Sequence, residues 1–107
     1  MKNYQIYKSF PTPVFHYTLE NYEEFNNDLV NYILNIKNQN KDGITKSNQG
    51  GWHSPNFDLK NDKSAKKFVS VFDKYVEKTI KEIGWNYDSS RAIIEAMWSI
   101  INKKGSF

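Results

Sequence analysis

The chain has 107 residues, 38% hydrophobic, 16% aromatic and 25% charged, which is the composition of one small globular domain with no room for a second. Fifteen basic against twelve acidic residues leave a formal net charge of +3, too slight to mark a nucleic-acid or membrane-surface protein, and a mean hydropathy of −0.77 excludes an apolar transmembrane run. With no cysteine there is no disulfide framework, no zinc finger and no thiol nucleophile.

The polar start Met1-Lys2-Asn3-Tyr4-Gln5 leads into no apolar run, so no secretory signal is expected and the chain is expected to stay inside the cell. Tyr4 to Phe10 alternates Tyr4, Ile6, Lys8 and Phe10 against Gln5, Tyr7 and Ser9, which predicts a half-buried strand. Pro11-Thr12-Pro13 interrupts it. Val14 to Leu19 then alternates again, and the prolines before it suit the start of an edge strand because they donate nothing to a ladder.

Asn21 with Glu24 three residues on reads as a capping-box variant, in which the Asn side chain accepts from the first-turn amides. Phe25, Leu29, Tyr32, Ile33 and Ile36 follow at three- and four-residue steps and predict a helix from about Tyr22 to Asn38. A second helix, capped at Asn61 or Asp62, carries Ala65, Phe68, Val69, Phe72, Tyr75, Val76, Thr79, Ile80 and Ile83 on its buried side. It ends at Gly84, which tolerates a left-handed cap. Trp85 to Ser90 reads as a loop. Ala92 to Ile101 is apolar on both alternating faces, which predicts a strand covered on both sides. Lys103-Lys104-Gly105 forms a turn, and Ser106-Phe107 is the first step of a further strand.

Chemistry concentrates in the connection Ser47 to Leu59, which joins paired glycines to Trp52, His53, Ser54 and Pro55. One reading makes it the wall of a pocket. The other has Gly50-Gly51 shaping a tight turn, Trp52 plugging the core and Ser54-Pro55 setting up the next segment. His53 and Asp58 lack a third ligand and a ligand-like spacing, so no metal site is expected within the chain, and His16 suits a structural role. Neither a phosphate-binding glycine loop nor a nucleophile elbow is present. The lysines of the second helix alternate with Asp73, Glu77 and Glu82 as on a solvated face, which disfavours nucleic acid as a partner.

Three segments in order, Phe10-Pro11-Thr12-Pro13-Val14, Ser47-Asn48-Gln49-Gly50-Gly51-Trp52-His53-Ser54 and Met97 to Phe107, resemble the N-terminal half of a 2-oxoglutarate/Fe(II)-dependent oxygenase family of marine bacteria and phages. The resemblance extends over essentially the whole chain, and its most distinctive part is the Asn-x-Gly-Gly-Trp-His-Ser loop. It implies an α+β fold in which short strands and two amphipathic helices form the N-terminal part of a double-stranded β-helix (jelly-roll, cupin-like) domain. It also implies Fe(II) held by two His and a carboxylate with 2-oxoglutarate chelated to it. In that family the His-containing metal motif follows the last of the three segments, so this chain is expected to stop before its iron ligands. It should then bind neither cofactor tightly and be inactive alone.

By the same resemblance Asn102 is the candidate 2-oxoglutarate contact, against the plainer role of a strand-end Asn satisfying turn amides. Trp52, His53, Ser54 and Trp98 are the candidate substrate-pocket residues, although a Trp on an apolar strand is more often core. The substrate is not named by the sequence. A rival expectation is a small α+β interaction module that pairs, with a second copy or another chain, through an open sheet edge. A single arginine, Arg91, beside heavy use of Lys, Asn and Ile suggests AT-rich coding, as in a phage or low-GC bacterium; with no cysteine and no secretory signal, the expected compartment is the cytoplasm of a bacterium or of a phage-infected host cell.

Overall fold

The computed structural model describes residues 3–5, 12–46, 48–84 and 92–107. Within them the chain is an α+β arrangement of two helices and a two-stranded antiparallel sheet, in the order α1 (Tyr22–Gln39), β1 (Trp52–His53), α2 (Lys63–Ile83) and β2 (Ile100–Ile101). No helix among the described residues is long and apolar enough to cross a membrane.

The apolar stripe of α1 meets that of α2 through aromatic edges. Phe25 packs T-shaped on Phe68 and Phe72, and Tyr32 does the same on Phe68 and Phe57. Each such pair adds about 0.5–1.5 kcal/mol beyond its buried area. Rising numbers on α1 meet falling numbers on α2, so the helices run antiparallel. The hydroxyl of Tyr32 donates to Asp62 Oδ2 at 3.1 Å, which ties the C-terminal half of α1 to the start of α2. Burial and this carboxylate push the Tyr32 phenol up to about 12.

The α2 boundaries follow the sequence chemistry. Asp62 caps the helix by accepting from the amides of Ser64 and Ala65, and Gly84 closes it in the left-handed conformation. The expected capping box of α1 does not form: Asn21 is the N-cap residue but adopts φ 53°, and its side chain caps nothing. In that conformation the Asn side chain is turned away from the first-turn amides, which leaves Glu23 and Glu24 to complement the positive helix end.

Two strand expectations are corrected. Val14 to Leu19 forms no strand. Its Tyr17 instead lies against α2, with the ring 5.1 Å from that of Tyr75, the hydroxyl 3.0 Å from Thr79 Oγ1 and Lys78 Nζ 5.3 Å above it. Side-chain docking on a helix has replaced backbone pairing. The Ala92 to Ile101 segment is strand only at Ile100–Ile101 and is not covered on both sides, since Ile93, Trp98 and Ile100 are 70%, 52% and 48% exposed. Among the described residues it pairs with the β1 region alone. The expected Tyr4 to Phe10 strand falls mostly, and the Trp85 to Ser90 loop wholly, outside the described residues.

The core is small. Trp52, Phe57, Ala65 and Phe68 are its buried apolar residues, joined by His53 and Ser54. The remaining apolar residues of α2's expected face are at most half-buried, and α1 contributes no fully buried side chain.

Candidate functional site

The connection between the helices and the C-terminal segment form one antiparallel ribbon that extends beyond the two regular strands. Trp52 lies opposite Ile101 and His53 opposite Ile100. Farther along, Ser54 N–H donates to Ser99 O at 2.9 Å and Phe57 N–H to Met97 O at 2.8 Å. At the other end Gln49 and Phe107 exchange both backbone bonds. The turn at Lys103 to Ser106 is closed by Ser106 N–H donating to Lys103 O at 3.0 Å, and Ser106 Oγ accepts from Lys103 N–H at 3.2 Å. The expected turn is thus part of this ribbon, whereas Ser106-Phe107 begins no further strand; Phe107 pairs with Gln49 instead.

Its most chemical-looking residues are its most buried. Trp52, 6% exposed, donates its indole N–H to Asn40 O at 2.9 Å and so fixes the end of α1 against β1. Gly43 makes room for it: a Cβ there would stand 2.9 Å from the Trp52 ring and collide with His53 O. His53, also 6% exposed, donates Nδ1–H to Ser54 O at 2.7 Å. The ring stacks on Trp98 with centroids 6.1 Å apart and planes 9° apart. Ser54 is wholly buried. Its hydroxyl donates to Pro55 O at 2.7 Å and accepts from Ser99 N–H at 2.9 Å, so it bridges the two sides of the ribbon. Beside it, Ser99 Oγ is buried without a hydrogen-bond partner. An orphaned buried hydroxyl is a destabilising feature of about 1–3 kcal/mol.

Trp98 and Asn102 stand on the exposed side. Trp98 shares the alternating positions of β2 with Ile100 and Asn102, and all three are exposed. Asn102 lies over Gly51: a Cβ on Gly51 would collide with Asn102 Oδ1 and come within 3.0 Å of Ile101 O. The turn that follows is capped by Ser106 and not by Asn102. The structure therefore brings all five candidate residues onto one ribbon, with Trp52 and Ser54 inside it, His53 beneath Trp98, and Trp98 and Asn102 at its surface.

The donor set of this chain does not fit an iron centre. Among the described residues no three His, Cys, Asp or Glu side chains come together. His53 is buried under Trp98 with one ring nitrogen bound to a carbonyl, and His16 stands exposed on the segment before α1. Asp58 is exposed and shaped into a loop: its carboxylate accepts from the backbone and side chain of Asn61 and from Lys60 N–H, which hold it below the usual carboxylate range.

The sequence pointed to the 47–59 loop and to Trp98 and Asn102 but missed Gly43, Asn40 and Ser99. A glycine in a polar run signals only a turn, and nothing in an alternating apolar segment distinguishes a serine that bonds from one that does not. Comparison with protein-family models, with curated proteins and with solved structures finds no significant match to the chain.

Proposed function

We propose that this chain is the N-terminal portion of a non-haem Fe(II)/2-oxoglutarate-dependent oxygenase, a hydroxylase in its complete form, and that its ribbon begins a double-stranded β-helix. The observation that supports this reading is the pairing of two of the segments that carry the resemblance. The Asn48 to Ser54 loop and the Met97 to Phe107 segment, some fifty residues apart, lie side by side, paired in one register from Trp52–Ile101 to Ser54–Ser99 and again, beyond the Lys103–Ser106 turn, at Gln49–Phe107. The reading also places Asn102 at an exposed strand end, where a carboxamide is free to meet a bound carboxylate. On this reading iron and 2-oxoglutarate would be held chiefly by residues outside this chain, and no catalytic step is assigned to it; among the described residues no three His, Cys, Asp or Glu side chains come together.

Purified residues 1–107 should not convert 2-oxoglutarate to succinate in the presence of Fe(II) and O2. Turnover by this chain alone would overturn the reading. The mass of the native protein in its source tests it independently: a species well above 12.6 kDa supports it, and one at 12.6 kDa counts against it.

A second reading, a small interaction module working through an open sheet edge, is favoured by one observation. Trp98, Ile100 and Ile93 are exposed, and β2 pairs with no described strand other than β1. The two readings put different strands on the same edge, those of a larger β-helix domain or that of a partner chain.

A further inference from the structure

The outer edge of β2 has a definite hydrogen-bonding polarity. His53 O accepts from Ile44 N–H at 2.8 Å, so the backbone of His53 faces away from β2. In an antiparallel ladder both members of such a pair point their backbone groups outward, and Ile100 therefore aims its N–H and C=O at the side of β2 on which no described strand pairs with it. Ser99 O, which accepts from Ser54, faces inward. By alternation Trp98 and Asn102 face outward with Ile100. Exposed edges are usually blunted by Lys or Pro. Here the outward positions 96, 98 and 100 are Ala, Trp and Ile, and residues 92–102 contain no lysine and no proline.

We propose that a second copy of this chain pairs antiparallel along this edge, in a two-fold register that sets Trp98 of each copy opposite Ile100 of the other. The inference rests on the open-edge reading above and adds the partner and the register. A two-fold pair of identical strands must match outward residues with outward residues, so only a few registers exist. Glu95 and Lys103, both exposed, select among them. With the axis at Ser99, each Glu95 lies opposite the other copy's Lys103, at the close-spaced positions where side chains interact most strongly. Moving the axis by one residue either way sets Glu95 opposite Ile101 or Gly105 and leaves it without a cation. Lys103 is the sole basic residue at an odd position between 93 and 107, so charge complementarity specifies one register.

Sedimentation equilibrium of the full 107-residue chain, with Glu95→Lys, Lys103→Glu, the double reversal and Ile100→Pro, tests the proposal. Wild type should be a reversible dimer. Each single reversal turns two cross-strand attractions into repulsions and should weaken it roughly tenfold to a hundredfold, and the double reversal should restore it. A dimer indifferent to the charges but abolished by Ile100→Pro would overturn the register and leave edge pairing standing. A chain that stays monomeric with native helical circular dichroism would overturn both, as would a dimer insensitive to every variant.

Discussion

Gly51→Ala probes the closest approach within the ribbon. The new Cβ would collide with Asn102 Oδ1 and stand 3.0 Å from Ile101 O. The first conflict is with an exposed side chain that can rotate away at a cost of about 0.5–1.5 kcal/mol if it leaves its rotamer. The second is with the backbone of the facing strand, which can yield only by opening the Trp52–Ile101 step. Overpacking of this kind costs about 1–3 kcal/mol. The loss of unfolded-state freedom on replacing glycine returns about 0.4–1 kcal/mol. The balance is a destabilisation of about 2 kcal/mol, or about thirtyfold in the folded-to-unfolded ratio. Urea unfolding followed by tryptophan fluorescence, to which buried Trp52 contributes, should show the midpoint falling by about 1–2 M for a slope of about 1–2 kcal/mol/M. Gly51→Ala/Asn102→Ala should recover the rotamer part and keep the backbone part. An unchanged or raised midpoint in the single variant, or no recovery in the double, refutes the geometry.

Phe68→Ala should lose about 3–5 kcal/mol, because Phe68 is 2% exposed and takes both Phe25 and Tyr32 edge-on; thermal unfolding should then show no cooperative transition near 25 °C. Asp62→Ala removes two capping bonds and the acceptor of the Tyr32 hydroxyl at once, and denaturant unfolding should report a loss of about 1–2 kcal/mol that Asp62→Asn partly recovers. Alkaline pH should weaken the fold through Tyr32. Its folded value of about 12 lies above the usual 10, so the protonated phenol's contribution is complete below pH 10 and is lost as pH rises toward 12. Stability measured from pH 9 to 11.5 should fall less steeply in Tyr32→Phe than in wild type.

The helices were legible because their signals are local and redundant. Periodic Phe25, Leu29, Tyr32 and Ile36, the Asp62 cap and Gly84 each decide a few residues of backbone without help from afar. Strands need partners, and alternation does not say whether one exists. Val14 to Leu19 alternates as well as any strand, yet Tyr17 finds Tyr75 and Thr79 on α2, and that contact replaces a ladder. The Ala92 to Ile101 run was read as covered on both faces because both are apolar. Apolar composition reports what a segment would gain from burial, not what lies beside it. In the candidate site, identity was legible and placement was not. Trp52, His53 and Ser54 stand adjacent in sequence, but their burial depends on Asn40, Gly43 and Ser99, which reach them from two other parts of the chain.

That placement inverts the ordinary expectation for a loop rich in hydrogen-bonding side chains. Trp52, His53 and Ser54 spend their polar atoms on Asn40 O, Ser54 O, Pro55 O and Ser99 N–H, which makes them the structural spine of the ribbon. In the chemically plain segment from Ile93 to Asn102 one alternating face lies at the surface instead, with an indole, an isoleucine and a carboxamide on it, and the backbone of Ile100 pairs with no described residue. Desolvating such groups without pairing them is costly, whereas pairing them recovers both the backbone bonds and the apolar area. The buried half of the ribbon holds Trp98 in place through His53. A strand that took that edge would meet Trp98 and Ile100 first, with Asn102 at its end, one residue before the turn that Ser106 closes.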